Sequence, residues 1–401
     1  MLLIHPNVKQ SIQKKIDEIA ALLFETLQVR DIGLYTGSSG IALFLFYYAR
    51  YKKSTVIHQK AVEVVDGLFT QIAAMPTPVF TLCSGIAGVG WMLDHLCQQR
   101  FIQANPDEIL LDIDEYVYAA VLNELHKGHY DFMHGATGMA LYLTKRNCRD
   151  YIHHFLKALN SIAVWDGDCA KWQSTVKNEY EEEKTVFSVA LSHGSSSLAL
   201  VLGKILEIMP EEEMAWKLLK GAVAYICSQE ISVDKYGCYF PSFSIEYQPK
   251  LYKTRLGWCY GDLGTALAIW QSGLRLHNKA WTKKGMEVLI HAANRRGLLD
   301  NMVRDAGICH GTSGLAMIFN RLFFSTKQME FKDAADYWGI ETLRMAKFED
   351  GLAGYKVFRM EKYGGWKTSN CLLDGIAGIG LCLLSFITED DPVWDECFLL
   401  S

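Results

Sequence analysis

Seven nearly all-apolar runs alternate along this chain with segments in which apolar and charged residues interleave. The apolar runs include IALFLFYYA from Ile41, TALAIW from Thr265 and IGLCLLSF from Ile379. The interleaved segments include SIQKKIDEIAALLFETL from Ser11, PDEILLDIDEYVYAAVLNEL from Pro106 and PEEEMAWKLLKGAVAYI from Pro210. In these segments apolar residues recur every three or four positions, the pattern of a helix with one buried face. The apolar runs have no polar face and predict helices buried on all sides. The chain therefore reads as one amphipathic helix and one buried helix in alternation, seven times.

Each apolar run opens on a Gly-x-x-Gly signature. The first glycines are Gly37, Gly85, Gly135, Gly194, Gly261, Gly311 and Gly375, spaced 48 to 67 residues apart. A period of that size marks a repeat architecture. Glycine at the start of each buried helix lets neighbouring helices and backbone amides approach closely. An open solenoid needs polar terminal repeats as caps. Here the first and last copies are as apolar as the middle ones, so the ends are expected to cover each other. The prediction is an all-α fold, an α/α toroid of seven inner and seven outer helices, with residues 1–401 as a single domain. The fourth copy reads GSSS, so Ser197 replaces the last glycine; this leaves the fold intact and is expected to shift the backbone around His193 slightly. Two stretches break the rhythm, 164–187 and 229–256. Both read as surface loops or short β-hairpins, or as a rim of an active-site cleft.

Composition agrees with a large core. Half of the residues are hydrophobic, and only eight prolines interrupt 401 residues. A net charge of −5 without a basic run argues against a nucleic-acid partner. The N-terminus lacks the apolar stretch and small-residue site of a secretory signal, and the longest apolar runs are about half a bilayer span. Eleven cysteines, scattered mostly within apolar runs, favour free or metal-bound thiols in a reducing compartment over a disulfide framework. The expected location is the cytoplasm, with membrane association through a biosynthetic complex as the alternative.

Two signatures carry candidate metal ligands. The fifth copy reads Gly-Trp258-Cys259-Tyr260-Gly261 and the sixth reads Ile-Cys309-His310-Gly311. Both cysteines stand two residues before the first glycine, so the repeat puts them at the same end of successive inner helices. Adjacent residues on a regular helix do not face the same way. Cys309 and His310 can therefore serve one ion only from a turn ahead of the helix, where the repeat places them. Two Cys and one His suit zinc and leave a fourth position open, as catalytic rather than structural zinc sites do. The remaining cysteines lack partners at ligand spacing.

The seven Gly-x-x-Gly copies, with Trp-Cys-Tyr-Gly-Asp in the fifth and Cys-His-Gly-x-x-Gly in the sixth, resemble the lanthionine synthetase C-like cyclases over nearly the whole chain. The resemblance implies an α/α toroid with one Zn2+ at one mouth of the ring, held by Cys259, Cys309 and His310. It also implies an activity: Michael addition of peptide cysteines to dehydroalanine or dehydrobutyrine, closing the thioether rings of a lanthipeptide. The chemistry suits these residues. A free thiol is only a few per cent ionised at pH 7, whereas a zinc-bound thiol is deprotonated. The enolate formed on addition must be protonated at its α-carbon, which calls for an acid poised near neutral pH, and histidine is the natural choice.

His193 matches the family's proposed acid–base histidine, and Asp131 matches the carboxylate thought to orient it. Arg255 and Tyr260 match residues flanking the zinc, for which the resemblance implies a role at the enolate. Asp131 also reads as a helix cap, and Tyr260 and Trp258 also read as packing. His134 matches nothing in the family and reads as structural. The implied partners are a dehydrated precursor peptide, leader plus core, with a separate dehydratase and an exporter; no dehydratase-like region precedes the toroid in this chain. Two other readings share the residues. One is a relative that activates glutathione or another small thiol. The other is a non-catalytic scaffold with structural zinc, which a fourth protein ligand would mark.

Overall fold

A computed structural model of the chain describes residues 6–25, 31–177, 183–247, 250–388 and 391–401. Its contacts divide into two compact units. One comprises residues 1–79, 83–106 and 296–401; the other comprises 80–82 and 107–295.

The first unit carries copies one, two, six and seven. Its helices are α1 (Pro6–Glu25), α2 (Ser38–Lys52), α3 (Thr55–Ala73) and α4 (Ile86–Gln98), then α5 (Pro106–Ile109) at the boundary. The second unit contributes α6 (Leu111–His126), α7 (Ala136–Lys145), α8 (Arg149–Ser161), α9 (Ser195–Ile208), α10 (Glu213–Ser228), α11 (Val233–Tyr236), α12 (Asp262–Arg275) and α13 (Lys279–Asn294). The first unit resumes with α14 (Thr312–Thr326), α15 (Met329–Arg344) and α16 (Ile376–Ile387).

The apolar runs are the buried helices. Every residue of α16 is buried, and so are the first eleven of α4. The interleaved segments bury one stripe. In α1 that stripe is Ile12, Ile16, Ile19, Ala20 and Leu23, each at most 2% exposed. Burying one such aliphatic side chain is worth roughly 1.5–3 kcal/mol, far more than any helix propensity difference, so packing holds these helices in place.

In the first unit the buried helices pack side by side in the order α14, α16, α2, α4, with α15 outside α14, α1 outside α16 and α3 outside α2. The last copy thus packs against the first, as expected for ends that cover each other, and the opening helix of the chain covers the final repeat. The turns ahead of these helices are stitched by backbone hydrogen bonds: Ile308 N–H to Leu373 O at 2.8 Å, Leu373 N–H to Tyr35 O at 3.0 Å and Tyr35 N–H to Cys83 O at 2.9 Å. In the second unit α7, α9 and α12 pack in that order, backed by α6, α10 and α13. There Ser192 N–H donates to Cys259 O at 3.2 Å.

The stretch 164–187 folds as two antiparallel hairpins, β1 (Val164–Asp166) with β2 (Cys169–Lys171) and β3 (Gln173–Lys177) with β4 (Glu183–Phe187). The stretch 229–256 forms no strand among its described residues. Its backbone is pinned by a side chain instead: the buried Asp262 carboxylate accepts the Tyr239 and Phe240 N–H groups, both at 2.9 Å. A third insertion, between α15 and α16, carries the short pair β5 (Val357–Phe358) and β6 (Trp366–Lys367), which the hydrophobic pattern did not signal. No described helix is long and apolar enough to cross a membrane.

Candidate active site

The loop before each inner helix folds back on the helix's first turn. In six of the seven copies the N–H following the first glycine donates to a carbonyl seven residues earlier, among them Ser38 to Asp31 (2.8 Å), Ala136 to His129 (3.0 Å), Ser195 to Ser188 (2.9 Å) and Thr312 to Asp305 (3.1 Å). This turn explains the signature. A Cβ on Gly314 would lie 1.9 Å from Ile308 O, so the glycine accommodates the chain's own preceding turn more than a neighbouring helix. Gly261 additionally has φ +90°, a left-handed conformation that favours glycine. The two residues before the first glycine are left outside the helix, which lets Cys309 and His310 serve a common point. Ser197 does not disturb the arrangement: Gly194 keeps the extended backbone of Gly135 (φ −153° and −140°), and the Ser197 hydroxyl donates to Gly194 O at 2.9 Å.

In the second unit this turn brings His193 and Asp131 together. His193 Nδ1 lies 2.7 Å from Asp131 Oδ2, while Asp131 Oδ1 accepts the His134 N–H at 2.7 Å. Burial pushes the His193 imidazole down, but the Asp131 carboxylate, helped by Cys259, outweighs it and holds the pKa above the ordinary value. Burial likewise pushes Asp131 up, and the bond to His193 outweighs that, leaving the carboxyl below its usual range. The pair favours imidazolium and carboxylate at neutral pH.

His193, Asp131 and Tyr260 line one cavity of about 580 Å³ in this unit. The Tyr260 ring centroid is 6.0 Å from that of His193 and 5.9 Å from that of Phe243. Thr175 and Thr185 of the β3–β4 hairpin also line it, so the 164–187 insertion forms one wall. Of the aromatic residues in 229–256, Phe243 lines the cavity, whereas Tyr239 and Phe240 are buried. His134, which reads as structural in the sequence, is solvent-exposed at this cavity, its ring stacked at 5.9 Å on His193. Trp258 is fully buried and packs by Phe132 (6.4 Å between centroids). Arg255 is half-buried and is not among the residues lining the cavity.

Cys309 and His310 stand side by side in the turn before α14 in the first unit, and Cys259 holds the corresponding place before α12 in the second; each offers a ligand atom suited to a metal ion. Among the described residues the group has these three members. Two thiols and an imidazole are a donor set suited to zinc. A further contributor, Asp305, was not signalled by any sequence pattern. Its Oδ2 lies 3.5 Å from His310 Nε2 and accepts the Phe358 N–H at 2.9 Å, and its Oδ1 accepts the Gly307 N–H at 3.1 Å. Burial raises the Asp305 carboxyl, but His310 and the backbone donors outweigh it and hold it ionised. A carboxylate on the outer nitrogen of a ligand histidine fixes the ring and raises its basicity. Asp305 is hard to see in the sequence because Asp31 holds the same place in the first copy and merely accepts a turn N–H, from Gly33 at 2.8 Å.

Comparison with known proteins places this geometry. Over 98% of its length the chain is 23% identical to the nisin biosynthesis protein NisC of Lactococcus lactis subsp. lactis, covering 96% of that protein. The solved structure of nisin cyclase superposes with a TM-score of 0.77 at 19% identity, covering 97% of each chain, and the fold is accordingly an α/α toroid. The model of the lanthionine synthetase C-like proteins matches residues 28–399, and the chain belongs to that family.

Proposed function

We propose that this protein is a zinc-dependent lanthipeptide cyclase that adds cysteine thiols of a dehydrated peptide to dehydroalanine or dehydrobutyrine, closing thioether rings. The observation that carries the reading is the pairing, in one family member, of a Cys259–Cys309–His310 donor group with a carboxylate-held histidine in a cavity. Nisin cyclase is a cyclase by name, and that activity is extended to this chain here. The family match across residues 28–399 also supports reading the chain as one domain.

In this reading Cys259 and Cys309 would hold Zn2+ as thiolates and His310 would hold it as a neutral imidazole, with Asp305 behind the ring. Zinc bound there would supply a Lewis acid that keeps a substrate thiol ionised at neutral pH. His193, kept charged by Asp131, holds the proton that the α-carbon takes up once the carbon–sulfur bond has formed. Tyr260 stands beside it as a donor for the enolate oxygen, and Arg255 adds positive charge on the same stretch of chain. Phe243 and the threonine hydroxyls of β3–β4 contact the peptide. The expected partners are a precursor of leader plus core, a separate dehydratase and an exporter, and the expected location is the cytoplasm.

The test uses zinc-loaded protein and a synthetic peptide bearing one dehydroalanine and one cysteine a few residues apart. Ring closure leaves the mass unchanged and removes the alkylatable thiol. A thiol that stays alkylatable overturns the reading, and consumption of glutathione in place of ring closure moves it to a small-thiol enzyme.

A further inference from the structure

His134 sits at the centre of the cavity's chemistry without a role in the reading above. It holds in the third copy the place that His193 holds in the fourth, directly before the first glycine. The shared turn therefore presents both side chains to the same cavity. Their rings lie 5.9 Å apart and 21° from parallel. Asp131 ties the two together, one carboxylate oxygen on the His193 ring and the other on the His134 backbone N–H.

Ring closure moves a proton as well as a sulfur, and this inference rests on the cyclase reading. The S–H bond of the peptide cysteine breaks, an S–C bond forms at the β-carbon, and the displaced π pair becomes an enolate that takes a proton at the α-carbon. His193, held as imidazolium beside Asp131, already carries the proton to be delivered, so the proton that the thiol gives up on ionising needs another acceptor. We propose that His134 is the base of a two-histidine relay, taking the thiol proton while His193 supplies the one that reaches the α-carbon. Transfer from His134 to His193 through cavity solvent then restores both, with no net gain or loss of protons or electrons.

The surroundings favour that division. The groups facing His134 are Lys127, His129 and Asp131 from its own stretch, His193 ahead of α9 and Tyr260 ahead of α12, while β3 and β4 present uncharged Gln173, Ser174, Thr175 and Thr185. Partial desolvation at the cavity wall and the charge of His193 push the His134 imidazole down, against Asp131, and it stays below its ordinary value. His193 is held above its own. Two titratable groups whose environments drive their pKa values apart are suited to opposite proton-transfer roles.

The experiment measures kcat/KM for ring closure of the synthetic peptide against pH, using zinc-loaded wild type, His134→Gln and His193→Gln. Wild type should show an acid limb below about pH 6.5 from His134 and a basic limb above it from His193. His134→Gln should be slower near neutrality by roughly 10²–10⁴-fold and lack the acid limb. His193→Gln should lose the basic limb and keep the acid one. A His134→Gln protein with the wild-type rate and profile, or a slower one with both limbs intact, overturns the proposal. A wild type inert toward the peptide overturns the cyclase reading itself, and the relay with it. NMR titration of wild-type imidazoles is independent of any variant's folding: His134 should titrate below His193, and the reverse order also overturns the relay.

Discussion

His193 Nδ1 and Asp131 Oδ2 lie 2.7 Å apart across 62 residues of chain, because each stands at a fixed place in the turn before its own inner helix. The raised imidazole and the lowered carboxyl are two sides of that contact. The imidazole's contribution to stability is complete below its unfolded pKa near 6.5 and is lost as pH rises through its raised folded value. The carboxylate's contribution is complete above its unfolded value near 3.8 and is lost as pH falls through its lowered folded value. Asp131→Asn should therefore cost more stability at about pH 5.5 than at about pH 9, a difference kept small by the pair's partial exposure. Urea unfolding at the two pH values checks this; an equal loss at both would show that the pair is not charged in the folded protein. In the same variant the His193 pKa should fall, since burial is then opposed by Cys259 without the Asp131 carboxylate.

Removing any one zinc ligand should empty the site without unfolding the chain. Cys259→Ala, Cys309→Ala and His310→Ala should each lose the single equivalent of zinc measured by atomic emission, while circular dichroism stays helical because burial holds the repeats. Full zinc retention in any of the three would remove that residue from the ligand set.

Asp305→Asn tests the support behind His310. It keeps one acceptor for the backbone N–H groups but loses the carboxylate charge facing Nε2. Loss of such an outer partner typically costs roughly 10–100-fold in metal affinity. Competition with a chelator should show a weakening in that range, and an unchanged affinity would make Asp305 a turn residue only.

Two glycine substitutions should move stability in opposite directions. Gly314→Ala would put a Cβ 1.9 Å from Ile308 O and 2.7 Å from its carbonyl carbon. Backbone cannot yield as a flexible side chain does, so a loss of roughly 1–3 kcal/mol or more is expected. Gly67 lies inside α3, and a methyl group added there would meet nothing within 4 Å. Gly67→Ala should gain about 0.5–1 kcal/mol. Thermal unfolding of both variants compares them directly.

The aromatic residues of 229–256 should separate into two kinds. Phe243→Ala should raise KM for the peptide and leave the unfolding midpoint nearly unchanged, because the ring lines the cavity. Phe240 is fully buried, and Phe240→Ala should cost about 3–5 kcal/mol. A stability loss at Phe243 as large as at Phe240 would make both residues packing.

Much of this protein is written in one dimension. The period-3.6 stripes and the all-apolar runs mark the outer and inner helices, since burial on one face or on all faces is a property of local order. The recurrence of Gly-x-x-Gly fixes where each inner helix begins. The position of Cys259, Cys309 and His310 before that signature was legible for the same reason, whereas the role of His193 was implied only by the family resemblance. Other features depend on what stands opposite in space. Asp305 and Asp31 look alike in their turns, and what sets the first apart is the His310 ring 3.5 Å from its carboxylate. His134 looked inert because its partner is 59 residues away, and Arg255, close to Cys259 in sequence, does not line the cavity. In 229–256 the composition marks six aromatic residues alike. Packing alone decided that Phe240 is core and Phe243 is cavity wall, because side-chain burial depends on neighbours brought in by the rest of the fold.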